Sequence, residues 1–259
     1  MQYKQINVHK PMFCSLLYSL LKIKCALPDK CENGGEIGLM FTEGPSQNTQ
    51  MILDTLNKKK VKCTFIFATN SIDANTENTI KQVADDGHVV GLRLNPSRDY
   101  NQMENEKEVG EDVKYSISQL EEITGKDVKY ATAPLDGNKV NNTVFQYLAK
   151  NDIVQLGYKF NPFDVPNKSP SEATADYLKN KNPKYDTFII ALYEMNIQDE
   201  DELNDIITEM QKNFKIVPMT QCLKNFKPGD TNVATMAKES SFSKTSLLNP
   251  ALNLLFHLM

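Results

Sequence analysis

From Gly34-Gly35 onward, short apolar runs alternate with stretches whose apolar residues recur every three or four positions. Ile37 to Phe41 is the first run and has the form of a buried strand. A helical pattern follows over about Thr49 to Lys59, then a second strand over Cys63 to Ala68. Glu77 to Asp86 is helical and stops at Gly87, a normal C-terminal signal. Val89 to Leu94 is the third strand. The clearest helix spans Glu106 to Thr124, with Val109, Val113, Ile117, Leu120 and Ile123 on one face and Gly125 closing it. Tyr130 to Ala133 and Ile153 to Tyr158 predict strands around a helix over Asn141 to Asn151. Pro170 to Asn180 is helical, Phe188 to Leu192 a strand, Glu202 to Asn213 a helix, and Ile216-Val217 a last short strand. About seven strands, most followed by a helix, predict a parallel sheet, closed as a barrel or left open and doubly wound. On barrel logic, functional residues follow Phe41, Ala68, Leu94, Ala133, Tyr158 and Leu192, at the C-terminal ends of the strands.

The two ends of the chain depart from this pattern. Lys4 and Lys10 precede an apolar run from Phe13 to Leu21, which fits a secretory signal peptide over residues 1–26; the alternative is an N-terminal helix packed on the domain. The run is well short of the ~20 residues that span a bilayer. A domain over 27–228 follows, then a tail, 229–259, expected to be poorly structured. Ser240 to Ser246 is mostly small and polar, and Leu247 to Met259 turns apolar, in the manner of a GPI-attachment signal; an amphipathic or frayed end is the other reading.

Composition adds little to class and more to compartment. Apolar residues make up 40% of 259 and charged residues 24%, enough for a full core. The net charge of -4 comes with no basic patch, so no nucleic acid partner is expected. Of five cysteines, Cys14 and Cys25 would leave with a signal peptide, and Cys63 sits in a buried-strand pattern as a free core thiol. Cys31 and Cys222 flank the domain, and the ends of a closed barrel come together, so a Cys31–Cys222 disulfide is expected. Asn141 (in Asn141-Asn142-Thr143) and Asn167 (in Asn167-Lys168-Ser169) are glycosylation candidates if the chain is exported.

Phe41-Thr42-Glu43-Gly44-Pro45 after the first strand and Gly87-His88-Val89-Val90-Gly91 opening the third carry a family resemblance. With the Thr64-Phe65-Ile66-Phe67 strand and the element order, they resemble the polysaccharide and chitin deacetylases, over roughly Glu36 to Leu223. The resemblance implies an irregular or incomplete (β/α) barrel of about seven parallel strands. It implies a hydrolase of N-acetyl groups built on zinc or another divalent metal held by one Asp and two His. A second Asp serves that family as base and a late His as acid.

Those functional positions have changed here. The base position is Thr42, the ligand Asp position Glu43, the two ligand His positions Arg93 and Ser97, and the acid position Tyr193. A guanidinium stays protonated and offers no lone pair to a cation. The family's Arg-x-Pro reads Thr132-Ala133-Pro134. Its Asp-x-x-Asp-Trp aligns with Asn161 to Val165, where Asp164 is kept. Of three histidines, only His88 lies within the domain, so no His-based zinc site is expected, and the cysteines lack metal-ligand spacing. No bound cofactor or metal is therefore expected. Glu43 and Arg93 fall on one face, as a salt bridge or as solvated rim charges. The hydroxyls of Thr42 and Ser97 lack an activating base.

Three functional readings remain. One is an inactive, secreted deacetylase-like protein at the cell wall or surface, with a structural or glycan-binding role toward chitin or a related polysaccharide. Pro134, Tyr158, Phe160, Phe163, Asp164 and Tyr193 are its groove candidates, although Tyr158 and Phe160 also suit the core. The second is an active metal-dependent chitin deacetylase with an atypical site. The third is a surface protein that binds another protein or lipid.

Overall fold

The computed structural model describes residues 27–103, 105–134 and 140–230. The signal-peptide segment and nearly all of the tail fall outside these residues.

Seven strands form one parallel sheet: β1 (Glu36–Gly44), β2 (Thr64–Phe67), β3 (Val89–Arg93), β4 (Tyr130–Thr132), β5 (Val154–Gln155), β6 (Phe188–Tyr193) and β7 (Lys215–Val217). The order is β5-β4-β3-β2-β1-β6, and β7 pairs with the start of β1, Gly38 opposite Val217. Helices α1 (Thr49–Lys59), α2 (Ala74–Asp85), α3 (Glu106–Thr124), α4 (Asn142–Lys150), α5 (Pro170–Leu178) and α6 (Glu200–Gln211) intervene, and a short α7 (Met219–Cys222) follows β7. Their ends follow local chemistry. Asp73 and Thr76 form a capping box on α2, Ser169 and Glu172 another on α5, and Gly125 at φ 64° closes α3.

The sheet curls into an incomplete barrel. Residues Ile153 to Tyr158 were expected as one strand, but only Val154 and Gln155 belong to the ladder. Beyond Leu156 the backbone changes partner: Gly157 N donates to Pro28 O, and Lys159 N donates to Ile189 O at 2.8 Å. Ile189 N donates to Asp29 O and Ala191 N to Phe160 O. The segments 28–29 and 159–160 thus bridge the gap between β5 and β6 in place of a full strand.

Side chains alternate across the strands and divide the core in two. Outward residues such as Ile37, Leu39, Phe41, Phe65 and Leu92 pack under the helices. Inward residues Met40, Ile66, Tyr130, Val154, Ile189 and Ala191 fill the barrel. The N-terminal end of the barrel is stoppered by Met219, Leu223, Phe226 and the expected Cys31–Cys222 disulfide. Gly38 is required beside it, because a Cβ there would stand 2.5 Å from Cys222 Sγ. Cys63 is free and buried; His88 Nδ1 accepts from Cys63 N at 3.3 Å, so this histidine serves the core. Burial pushes the His88 imidazole down to about 4, with Lys62 adding to the effect.

Candidate functional site

The opposite end of the barrel is its mouth. Alternation along β1, β3, β4 and β6 continues the inner face upward from Met40, Gly91, Tyr130 and Ala191 to Thr42, Arg93, Thr132 and Tyr193. Register ties these four in two pairs, Thr42 opposite Tyr193 and Arg93 opposite Thr132. Gly91 leaves room below Arg93 for the Ile66 side chain, which a Cβ at that position would meet at 2.7 Å. A polar ring therefore sits on an apolar floor.

Two contacts organise the ring. Arg93 Nη2 meets Glu43 Oε1 at 2.8 Å, with side-chain exposures of 19% and 37%. Of the two arrangements open to Glu43 and Arg93 in sequence, the salt bridge is the one present. Glu43 holds a left-handed backbone, φ 66°, at the turn where β1 ends, a conformation uncommon for a residue with a side chain. The Tyr158 and Tyr193 hydroxyls lie 2.9 Å apart. Burial raises the Tyr158 phenol well above the ordinary tyrosine range, the Tyr193 hydroxyl adds to this, and the Asp164 and Glu43 charges contribute less.

The other expected positions scatter. Ser97 is exposed in the loop after β3, where its backbone N–H donates to Asn95 Oδ1. Tyr100 and Asp112 bond through their side chains, and Asn95 N donates to the Tyr100 hydroxyl, fixing the base of that loop. Phe160 takes the core alternative rather than the groove: it stacks on Tyr177 with ring centroids 4.1 Å apart. Phe163 is partly buried against the outer core, Asp164 is exposed, and Pro134 is half-buried at the end of β4. Asn161 is buried, its Oδ1 accepting from Phe163 N while Nδ2 has no partner.

Divalent zinc would need lone-pair donors converging on the mouth. The mouth offers a guanidinium, the four hydroxyls of Thr42, Thr132, Tyr158 and Tyr193, and one carboxylate already held by that guanidinium, a set that does not fit such an ion. No three His, Cys, Asp or Glu side chains gather as a metal group among the described residues.

Sequence reasoning missed Glu194, the residue after Tyr193. It is fully buried. Thr49 Oγ1 and Ser46 Oγ both donate to its Oε2, at 2.5 and 3.0 Å. Asn48, at the N-cap of α1, leaves the helix uncapped by its side chain and instead donates Nδ2 to the Glu194 and Ile197 carbonyls. Burial pushes the carboxyl up to about 7. A charged residue after an apolar strand ordinarily reads as a solvated rim position, so nothing in the sequence marked it.

The family profile described as Polysaccharide deacetylase matches residues 29–159. A bifunctional xylanase/deacetylase of Pseudobutyrivibrio xylanivorans is 27% identical over 143 residues, which is 51% of this chain but 23% of that protein, so the chain spans under a quarter of its length. Among solved structures, the chitin deacetylase of the fungal pathogen Colletotrichum lindemuthianum superposes with a TM-score of 0.68 at 18% identity, covering 81% of this chain and 98% of that one. A CE4 family pseudoenzyme from Bacillus anthracis gives 0.64 at 16% identity, over 79% of this chain and 71% of that one. At such identities these two likenesses establish the fold.

Proposed function

This chain belongs to the polysaccharide deacetylase family, and on that footing we propose that it is a non-hydrolytic member that binds a glycan at the barrel mouth. The supporting observation is the Arg93–Glu43 salt bridge, 2.8 Å long, at the positions where the resemblance calls for a His and an Asp ligand. A fixed positive charge there opposes a cation, and Glu43 is already neutralised. The hydrolytic route needs a polarised carbonyl and an activated water. Thr42 supplies no base for the second, and Tyr193 replaces the acid.

The same mouth suits a sugar. Tyr158 is 41% exposed and Tyr193 half-buried, and their joined hydroxyls hold both side chains in place. Rings with one apolar face and one polar edge are the usual partners of a pyranose, and Thr42, Thr132 and Arg93 add hydrogen-bonding groups below. Chitin or a related polysaccharide is the ligand class suggested by the relatives' names. Export to the cell wall or surface is part of the proposal, and the Cys31–Cys222 disulfide supports it, since such bonds persist in oxidising compartments. GPI attachment and glycosylation at Asn167 or Asn141 belong to the same proposal; Asn167 is exposed, whereas Asn141 Nδ2 is engaged with Tyr100 O at 2.7 Å.

Calorimetric titration with N-acetylated chitin oligomers tests the binding half of the proposal. Binding that weakens at least tenfold in Tyr193→Ala and in Tyr158→Ala is expected, about 1.4 kcal/mol. Wild-type protein that takes up no oligomer, or binding untouched by both changes, counts against it and favours a surface that recognises protein or lipid.

A further inference from the structure

Glu194 follows Tyr193 directly, yet its carboxyl lies beneath the turn from β1 to α1 rather than in the mouth. Its Oε2 collects the hydroxyls of Thr49 and Ser46. Its Oε1 is buried and has no hydrogen-bond partner. What stands against that oxygen is Gly44, where an added Cβ would come within 2.3 Å of Oε1. Gly44 is the residue after Glu43, so the buried carboxyl and the Arg93–Glu43 pair are joined by one stretch of backbone.

A buried oxygen sharing a full negative charge with no donor is strongly disfavoured. The neutral acid suits the arrangement better: Oε2 serves as a carbonyl that accepts two hydroxyls, and Oε1 carries the proton. Burial is the main cause of the raised proton affinity, and the Thr49 and Ser46 hydrogen bonds oppose it only in part. The groups around it are few. The first turn of α1 carries no acidic residue, Glu43 on β1 is engaged with Arg93, and the Cys63 thiol ahead of β2 feels the Glu194 charge while burial keeps it protonated.

We propose that Glu194 is a pH-operated positioning residue for the mouth: protonated, it seats the Gly44–Thr49 turn and with it Glu43 on Arg93; ionised, it draws water to Oε1, lifts Gly44 and loosens that pair. The inference is independent of glycan binding, because it concerns the turn itself. It makes the mouth closed and ordered on the acidic side of neutrality and looser on the basic side.

Hydrogen exchange of the full chain tests it, with rates corrected for the intrinsic effect of pH. In wild-type protein, protection of residues 42–49 should fall by up to about tenfold per pH unit between the carboxyl's unfolded value of 4.5 and its folded value of about 7, and level off above that. Glu194→Gln keeps an oxygen for Thr49 and Ser46 but cannot ionise, so its turn should stay protected throughout. Flat protection in wild type, or the same fall in the variant, overturns the proposal. Should Glu194→Gln fail to fold, carbon-13 NMR of glutamate carboxyls in wild-type protein decides. One carboxyl titrating near neutrality together with the exchange change supports the proposal; all of them titrating in the ordinary acidic range overturns it.

Discussion

Removing the Cys31–Cys222 disulfide should release the stopper at the N-terminal end of the barrel. The bond joins residues 191 apart, so it ties almost the whole domain into one loop. In the chain-entropy account, a loop of that size restrains the unfolded chain by about 5 kcal/mol, and measured losses for native disulfides fall at ~2–5 kcal/mol. Packing adds to this. Both sulfurs lie among Met219, Leu223 and Phe226, and Gly38 leaves the space they fill, so Cys31→Ala/Cys222→Ala also opens a small void. Total stabilities of domains are about 5–15 kcal/mol, which makes this one bond a large share. Guanidinium unfolding of wild type with and without reductant, and of the double variant, should show a loss of ~3–5 kcal/mol. Cys63 is free and buried in the fold but exposed on unfolding, so the comparison is made at acidic pH, where its thiol does not exchange with the disulfide. A loss below ~1 kcal/mol would refute the view that the bridge holds the two ends of the domain together.

Other outcomes follow from the same structure. Stability should decline as pH rises from the Glu194 carboxyl's unfolded value of 4.5 through its folded value of about 7, since the folded state keeps a proton that the unfolded chain has lost. At ~1.4 kcal/mol per unit the loss is about 3 kcal/mol, and urea unfolding at several pH values should show it in wild type but not in Glu194→Gln. Arg93→Met should change stability by no more than ~1 kcal/mol, because the pair is partly exposed; a much larger loss in thermal unfolding would mark the bridge as a structural necessity. Gly91→Ala should destabilise by about 1–3 kcal/mol, as its Cβ meets Tyr130 O at 2.6 Å and Ile66 Cδ1 at 2.7 Å; unchanged calorimetric unfolding would deny the close approach of β3 and β4.

Much of the frame was legible because it rests on local periodicity. The helices over Thr49–Lys59 and Glu106–Thr124 occur with the bounds their apolar spacing predicts. The disulfide followed from the placement of Cys31 and Cys222 at the two ends of a closing sheet. Strand β5 was overestimated because Leu156, Tyr158 and Phe160 keep an apolar rhythm while their backbone crosses to β6, a change of hydrogen-bond partner that side chains do not announce. Phe160 shows the same limit, since whether an aromatic faces a groove or a helix depends on which partner the chain meets, here Tyr177. At the site, positions 42, 43, 93 and 193 were reached through the family resemblance that the motifs after β1 and before β3 carry. Glu194 was not, because its burial depends on Ser46, Asn48 and Thr49, about 145 residues away along the chain.

The most direct test of the central claim is zinc occupancy measured together with acetate release, on the full chain with N-acetylated chitin oligomers. No stoichiometric zinc and no acetate above the uncatalysed rate are expected, with Arg93 still paired to Glu43. Zinc bound one to one, with release of acetate that stops on chelation, would contradict the claim.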